Sequence, residues 1–297
     1  MKKMIIRADD VGYTHVNNLG SFETMRHGVV TSADVMLDAP GAEEALTWLK
    51  DLGWISVGWH SHFWCGPVLP PEEVPSLIIP GTDRFRHDIQ TTDDMDEKEL
   101  EKECHAQMKR CIMILGRVPS TTDLGQQETL FNRVKKKICD EYGIAYHYAR
   151  KLGHGQVDKP LDKWADRKIY VPSPKNAYKE IENESITDQY NRYDPVKYYT
   201  EDPDHLMDLP DDVIVEQSWH PGYVDYYVYK QGDYGPRAHY FTAVRTEDVA
   251  ALTSDRLRNW IKEKKIELIN FRDALYGTNE YQNYLRVTGS DLYIGNM

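Results

Sequence analysis

The feature that most constrains this chain is an alternation of short apolar runs with amphipathic helical stretches, the runs repeatedly ending on acids or histidines. Met4-Ile5-Ile6 feeds into Arg7-Ala8-Asp9-Asp10-Val11-Gly12. Val29 to Leu37, Ile55 to His60, Val213 to Trp219 and Ile266 to Phe271 read as further strands. Helical spacing is expected over Asn18–His27, Gly41–Asp51, Asp96–Leu115, Glu128–Tyr142 and Ser254–Lys264. Within the third of these, Leu100, Cys104, Met108, Cys111 and Leu115 form one stripe, and Gly143 marks the end of the fourth. Strands separated by helices pair in parallel through right-handed crossovers, so the pattern predicts an α/β fold, a (β/α) barrel with seven or eight mostly parallel strands. Active sites of such folds lie at the C-terminal strand ends, where Asp9, Asp10, His60 and His220 all fall.

A chain of 297 residues buries enough core for one barrel or for two smaller domains. The sequence shows no internal repeat or linker, and a single domain over 1–297 is expected. Residues 151–211, rich in Pro, Asp, Asn, Lys and Tyr, break the alternation and read as an insertion packed over the barrel. Its tyrosines Tyr178, Tyr190, Tyr193, Tyr198 and Tyr199, with Tyr226, Tyr227, Tyr229, Tyr234 and Tyr240, suit sugar stacking and lid packing equally. A net charge of −12 with no basic block argues against nucleic acid or an anionic membrane as partner, and favours a cation. No apolar stretch reaches the roughly 20 residues that span a bilayer. The two N-terminal lysines precede too short an apolar run for a signal peptide. Cys65, Cys104, Cys111 and Cys139 lack CxxC spacing and read as reduced core thiols, so a cytoplasmic location is expected.

Two adjacent acids before Val11-Gly12 are compatible with a solvated turn, and the surrounding pieces turn the reading toward a site. On a strand tip the pair can divide its work, one carboxylate binding a metal and its neighbour taking a proton from water. His60 and His62, two residues apart, share a face if extended. His220 precedes the sharp turn Pro221-Gly222.

Taken together and in order, these pieces resemble the YdjC-like family, also called the ChbG-type carbohydrate deacetylases. The resemblance covers Arg7 to Gly12 with Asn18 and Gly20, then Gly28-Val29-Val30-Thr31-Ser32 with Met36 and Pro40. It continues through Gly58-Trp59-His60, Gly66-Pro67, Pro75-Ser76-Leu77, His220-Pro221-Gly222-Tyr223, Arg245, Glu247 and Leu252-Thr253-Ser254. It implies a distorted (β/α) barrel that uses a divalent metal, Mg²⁺ or Zn²⁺, to remove acetyl groups from N-acetylated sugars of chitooligosaccharide or sugar-phosphate type. It also implies a homodimer. By position, Asp10 and His60 are the implied metal ligands and Asp9 the general base. His220 would stabilise or protonate the tetrahedral intermediate, and Arg245 would orient Asp9 through a carboxylate–guanidinium pair. Asn18, Trp59, Asp123 and Tyr223, within or beside these motifs, are the expected substrate contacts.

One departure stands out. The third ligand of the family is a histidine two residues after an aspartate, and here Asp123 is followed by Leu124 and Gly125. Glycine offers no donor atom. His62 is the leading substitute, with Gln126 and Asp123 as others; a hydrogen bond from His62 to its own loop is the competing reading. The alternative for the whole chain is a non-catalytic or altered-activity protein that binds a carbohydrate-like ligand.

Overall fold

The longest strand, β1 (Lys3–Val11), is buried at every position from Met4 onward, as a parallel strand covered on both faces must be. The computed structural model describes residues 1–125, 127–148, 169–170, 188, 191–202, 205–230 and 238–297. After β1 the chain runs through α1 (His15–Arg26), β2 (Ser32–Val35), α2 (Ala42–Lys50) and β3 (Ser56–Trp59). It continues through α3 (Glu97–Leu115), β4 (Thr121–Leu124), α4 (Leu130–Tyr142) and β5 (Ala145–Tyr148). Then come β6 (Ile169–Tyr170), β7 (Ile214–Trp219), the helices Ala238–Leu252 and Asp255–Glu263, and β8 (Glu267–Leu268).

These strands form one eight-stranded sheet in the order β5-β4-β3-β2-β1-β7-β6, with β8 paired to β1. All of the pairings are parallel. Arg7 pairs with both β2 and β7, and Lys3 with both β7 and β8, so β2 and β8 share one edge of β1. The result is a half-barrel of parallel strands with helices, in line with the (β/α) barrel expected from the alternation and with the distortion implied by the resemblance.

Local signals explain the helices. The Asp96 carboxylate caps α3 by accepting from the Lys98 and Glu99 N–H groups, and Gly116 at φ 83° ends it. The stripe Leu100, Cys104, Met108, Cys111 and Leu115 is buried. Gly143 at φ 74° closes α4. All four cysteines are free and buried, so the core-thiol reading holds.

Two expectations are corrected here. β2 and β8 are shorter than predicted, and Phe271 starts a helix because Asn270 and Asp273 form a capping box ahead of it. Within the expected insertion, β6 joins the sheet beside β7 and the helix Pro195–Glu201 packs against the helices Ala238–Leu252 and Asp255–Glu263. The stacking positions Tyr178, Tyr190 and Tyr234 lie outside the described residues. Among the described residues no helix is long and apolar enough to cross a membrane.

Candidate metal centre and active site

The site begins with an irregularity in β1. Between Ala8 and Val11 the strand advances three residues while β2 advances two, from Ala33 to Val35, and Asp10 adopts φ 58°. This extra residue is a bulge, a device that re-aims side chains at the rim of a sheet. It overrides the simple alternation that would turn Asp9 and Asp10 to opposite faces: Asp10 groups with His60 and His62, and Asp9 groups separately with Asp34 and His60.

Asp10 is held from two sides. Its Oδ2 accepts from Arg245 Nη2 at 2.7 Å, while its Oδ1 lies 3.0 Å from His60 Nε2. That Oδ1 and that Nε2 are buried without a hydrogen-bonding alignment to any described atom. A nitrogen of His62 lies within 4.8 Å of a carboxylate oxygen of Asp10 and of a ring nitrogen of His60. Two ligand atoms each about 2.0–2.2 Å from one ion stand roughly 3 Å apart when they meet it at a right angle, so the spacing and the donor set fit a divalent cation. The electrostatics agree. Burial pushes the Asp10 carboxyl upward, but Arg245 and His60 outweigh it and hold the group well below the usual carboxylate range. Burial pulls His60 downward, yet Asp9 and Asp10 raise it to about 9. His62 is pushed well below its ordinary value by burial and by His60, which leaves a neutral imidazole able to donate its lone pair.

Asp9 belongs to a second group centred on Arg7. Arg7 Nε lies 2.7 Å from Asp9 Oδ1, and Nη2 donates to Asp9 Oδ2 at 3.2 Å. The other side of the guanidinium grips Asp123 through Nη1–Oδ1 at 3.0 Å and Nη2–Oδ2 at 3.1 Å. Glu216 Oε1 at 3.3 Å, Asp34 Oδ2 at 3.4 Å and a hydrogen bond to Ser218 Oγ at 2.7 Å complete its surroundings. Burial raises the Asp34 carboxyl to about 7 against the pull of Arg7, with Asp9 adding to the rise. Gly58 makes room for Asp34, because a Cβ there would overlap Asp34 Oδ1. The expected Arg245–Asp9 pair is therefore replaced by Arg245–Asp10 and Arg7–Asp9. The bulge turns Asp10 toward the helix Ala238–Leu252 that carries Arg245, while Arg7, two residues back on the strand, lies beside Asp9.

His220 follows β7, and its N–H donates to Asp248 Oδ2 at 2.8 Å, while Tyr193 Oη donates to Asp248 Oδ1 at 2.6 Å. Burial lowers the His220 pKa, with Asp10 and Asp9 working against it. Gly222 is required because a Cβ would strike the Asn17 amide.

A cleft of about 760 Å³ opens beside these groups, lined among others by Trp59, His60, His62, Asp123, Gly125 and Lys135. Asp123 reaches the cleft, and Trp59, 1 % exposed, forms part of its wall with its indole N–H bonded to Gln107. Two expected substrate contacts are not there. Asn18 is fully buried, accepting from the Gly12 N–H and donating to Gly41 O and Glu44 Oε2, so it clamps the turn after β1. Tyr223 is exposed and is not among the cleft-lining residues. Asp123 as substitute ligand is also corrected: its carboxylate is gripped by Arg7, and it is absent from both groups of possible ligands. Gln126 lies outside the described residues. At Gly125 a Cβ would come 2.5 Å from Asn132 Nδ2, and Asn132 also accepts from the Gly125 N–H. Asn132 thus fills the space beside Gly125. Sequence reasoning missed Arg7 as the hub, along with Asp34, Glu216, Asp248 and Lys135. Arg7 was visible only as part of a motif, and the others gave no local signal.

The sequence pattern of YdjC-like proteins matches residues 3–263. The chain belongs to the YdjC-like family. A carbohydrate deacetylase of Brevibacillus brevis is 27 % identical over 274 residues, covering 91 % of this chain and 99 % of that protein. A chitooligosaccharide deacetylase of Proteus mirabilis is 30 % identical over 132 residues, 44 % of this chain and 51 % of its own length. An Enterococcus faecalis crystal structure, of a protein to which cellobiose-phosphate cleavage has been ascribed, superposes with a TM-score of 0.64 at 23 % identity. It covers 92 % of this chain and 98 % of that one, a likeness of fold.

Proposed function

We propose that this YdjC-like chain is a metal-dependent amide hydrolase that removes an acetyl group from an N-acetylated sugar. The observation that carries the reading is the buried convergence of Asp10 Oδ1 and His60 Nε2 at 3.0 Å, with His62 within 4.8 Å, beside a sugar-sized cleft. Asp10, His60 and His62 would hold the ion. A divalent cation, Mg²⁺ or Zn²⁺, supplies carbonyl polarisation and a more acidic water when bound. The deacetylase names of the relatives support the same chemistry.

The chain's own groups then divide the work. Asp9 accepts the proton of the attacking water, and Arg7 fixes the orientation of that carboxylate. Arg245 holds Asp10 ionised. His220, kept neutral by burial, meets the developing oxyanion as an N–H donor, and Asp248 anchors its backbone. The proton that Asp9 takes from the water is the one it returns to the departing amine. Trp59 and Asp123 shape the sugar side of the cleft. A cytoplasmic homodimer is part of the same proposal, with light scattering as the check on its assembly.

The second reading, a binding protein without activity, draws on Gly125 in place of the third ligand. It loses force if His62 supplies the missing donor. Purified protein should carry about one metal ion per chain and release acetate from N,N′-diacetylchitobiose or its 6-phosphate. Metal-replete protein that releases no acetate from either sugar would favour the binding reading.

A further inference from the structure

The run His60-Ser61-His62-Phe63-Trp64 leaves β3 with a bend at Phe63, whose φ of 56° lies in the left-handed region that bulky side chains seldom adopt. Phe63 is 1 % exposed, and its ring packs on Phe85 at 4.8 Å and edge-on to Phe131 at 5.1 Å. The core therefore holds this residue in an unfavourable conformation, a pattern that clusters at functional sites. Its two neighbours in sequence stack on each other. The Trp64 indole lies flat on the His62 imidazole, with centroids 4.1 Å apart and planes 7° apart. The opposite relation holds inward, where His62 meets His60 nearly at a right angle, 80°, with centroids 4.1 Å apart. The His62 carbonyl accepts from Gln90 Nε2 at 2.7 Å, which fixes the backbone. Among the described residues neither ring nitrogen of His62 has a hydrogen-bond partner. Trp64 is 42 % exposed, a large apolar ring left at the surface directly over this histidine.

We infer that Trp64 is the positioning residue of His62, its indole face setting the imidazole plane toward Asp10 and His60. A ligating histidine is ordinarily oriented by a hydrogen bond from its second nitrogen to a carboxylate or carbonyl. Here a stacked indole does that work, aided by the bend at Phe63, in a chain whose third ligand position is Gly125. The inference rests on the reading of His62 as a ligand.

The test is Zn²⁺ titration calorimetry on the metal-stripped, full-length protein and its variants Trp64→Leu, Trp64→Phe, His62→Ala and His62→Ala/Trp64→Leu. Loss of an orienting partner typically weakens metal affinity about 10- to 100-fold, which is the result expected for Trp64→Leu. Trp64→Phe keeps a flat ring and should stay within about threefold of wild type, on the same scale. In the His62→Ala background, Trp64→Leu should change affinity no further, since the interaction is already gone. Zn²⁺ should also alter tryptophan fluorescence in the wild type, and that change should vanish in Trp64→Phe. Wild-type affinity in Trp64→Leu with weakened binding in His62→Ala would overturn the positioning role alone. A Zn²⁺-insensitive indole signal would overturn it as well. Unchanged binding in His62→Ala would instead remove His62 as a ligand and take the inference with it.

Discussion

Replacing Arg7 by methionine removes the guanidinium that contacts Asp9, Asp34, Asp123 and Glu216 while keeping the side-chain volume roughly constant. Arg7 is 4 % exposed, so the charges left behind lie in a low-dielectric environment with little water to screen them. Removing one partner of a buried ion pair costs about 3–5 kcal/mol. At about 2–4 °C per kcal/mol for chains of somewhat smaller size, Tm should fall by roughly 6–20 °C at pH 8. The sign of the pH dependence follows from the same charges. Arg7 opposes the upward push of burial on Asp34, so without it that carboxyl protonates at still higher pH in the folded state than in the unfolded chain. The variant then binds extra protons when folded, and its stability falls as pH rises. The gap between wild type and Arg7→Met should therefore narrow from pH 8 to pH 5.5. Circular-dichroism melts of both proteins at the two pH values measure this. A Tm change under about 2 °C at pH 8, or a gap that widens toward pH 5.5, would refute the placement of Arg7 at the centre of the cluster.

Asp9→Asn should lower acetate release by about 10² to 10⁴, with bound metal measured by mass spectrometry unchanged; retained turnover would remove Asp9 as the base. Gly125→His alone should not tighten Zn²⁺ binding, because its Cβ would come 2.5 Å from Asn132 Nδ2; tighter binding without a change at Asn132 would show that the loop yields. Burial raises Asp248 to about 7, so its folded pKa exceeds the unfolded value and ionisation subtracts stability as pH rises from about 4 to 7. Urea titrations should show Asp248→Asn losing less stability than wild type between pH 5 and pH 8, and equal slopes would exclude that account.

Much of this was readable from residue order. The stripe on α3 and the Gly143 stop after α4 are local, and local signals survive folding. The strand tips bearing Asp9, Asp10 and His60 follow from apolar runs that end on polar residues. What escaped was non-local or irregular. The bulge at Asp10 has no signature in Arg7-Ala8-Asp9-Asp10, and it decides which arginine meets which aspartate. Arg7 is 116 positions from Asp123 and 211 from Ser218, so only the sheet order joins them. β6 is two residues long and takes its meaning from pairing with β7. Asn18 misled because a polar residue beside a motif invites a substrate role, whereas its amide serves the backbone of Gly12 and Gly41.

The central claim is a single cation held by Asp10, His60 and His62. Crystals grown with ZnCl₂ and measured on both sides of the zinc absorption edge test it directly. An anomalous peak within about 2.0–2.2 Å of Asp10 Oδ1, His60 Nε2 and a nitrogen of His62 is the predicted result. No peak there at full zinc occupancy elsewhere, or one lacking His62, would contradict the account.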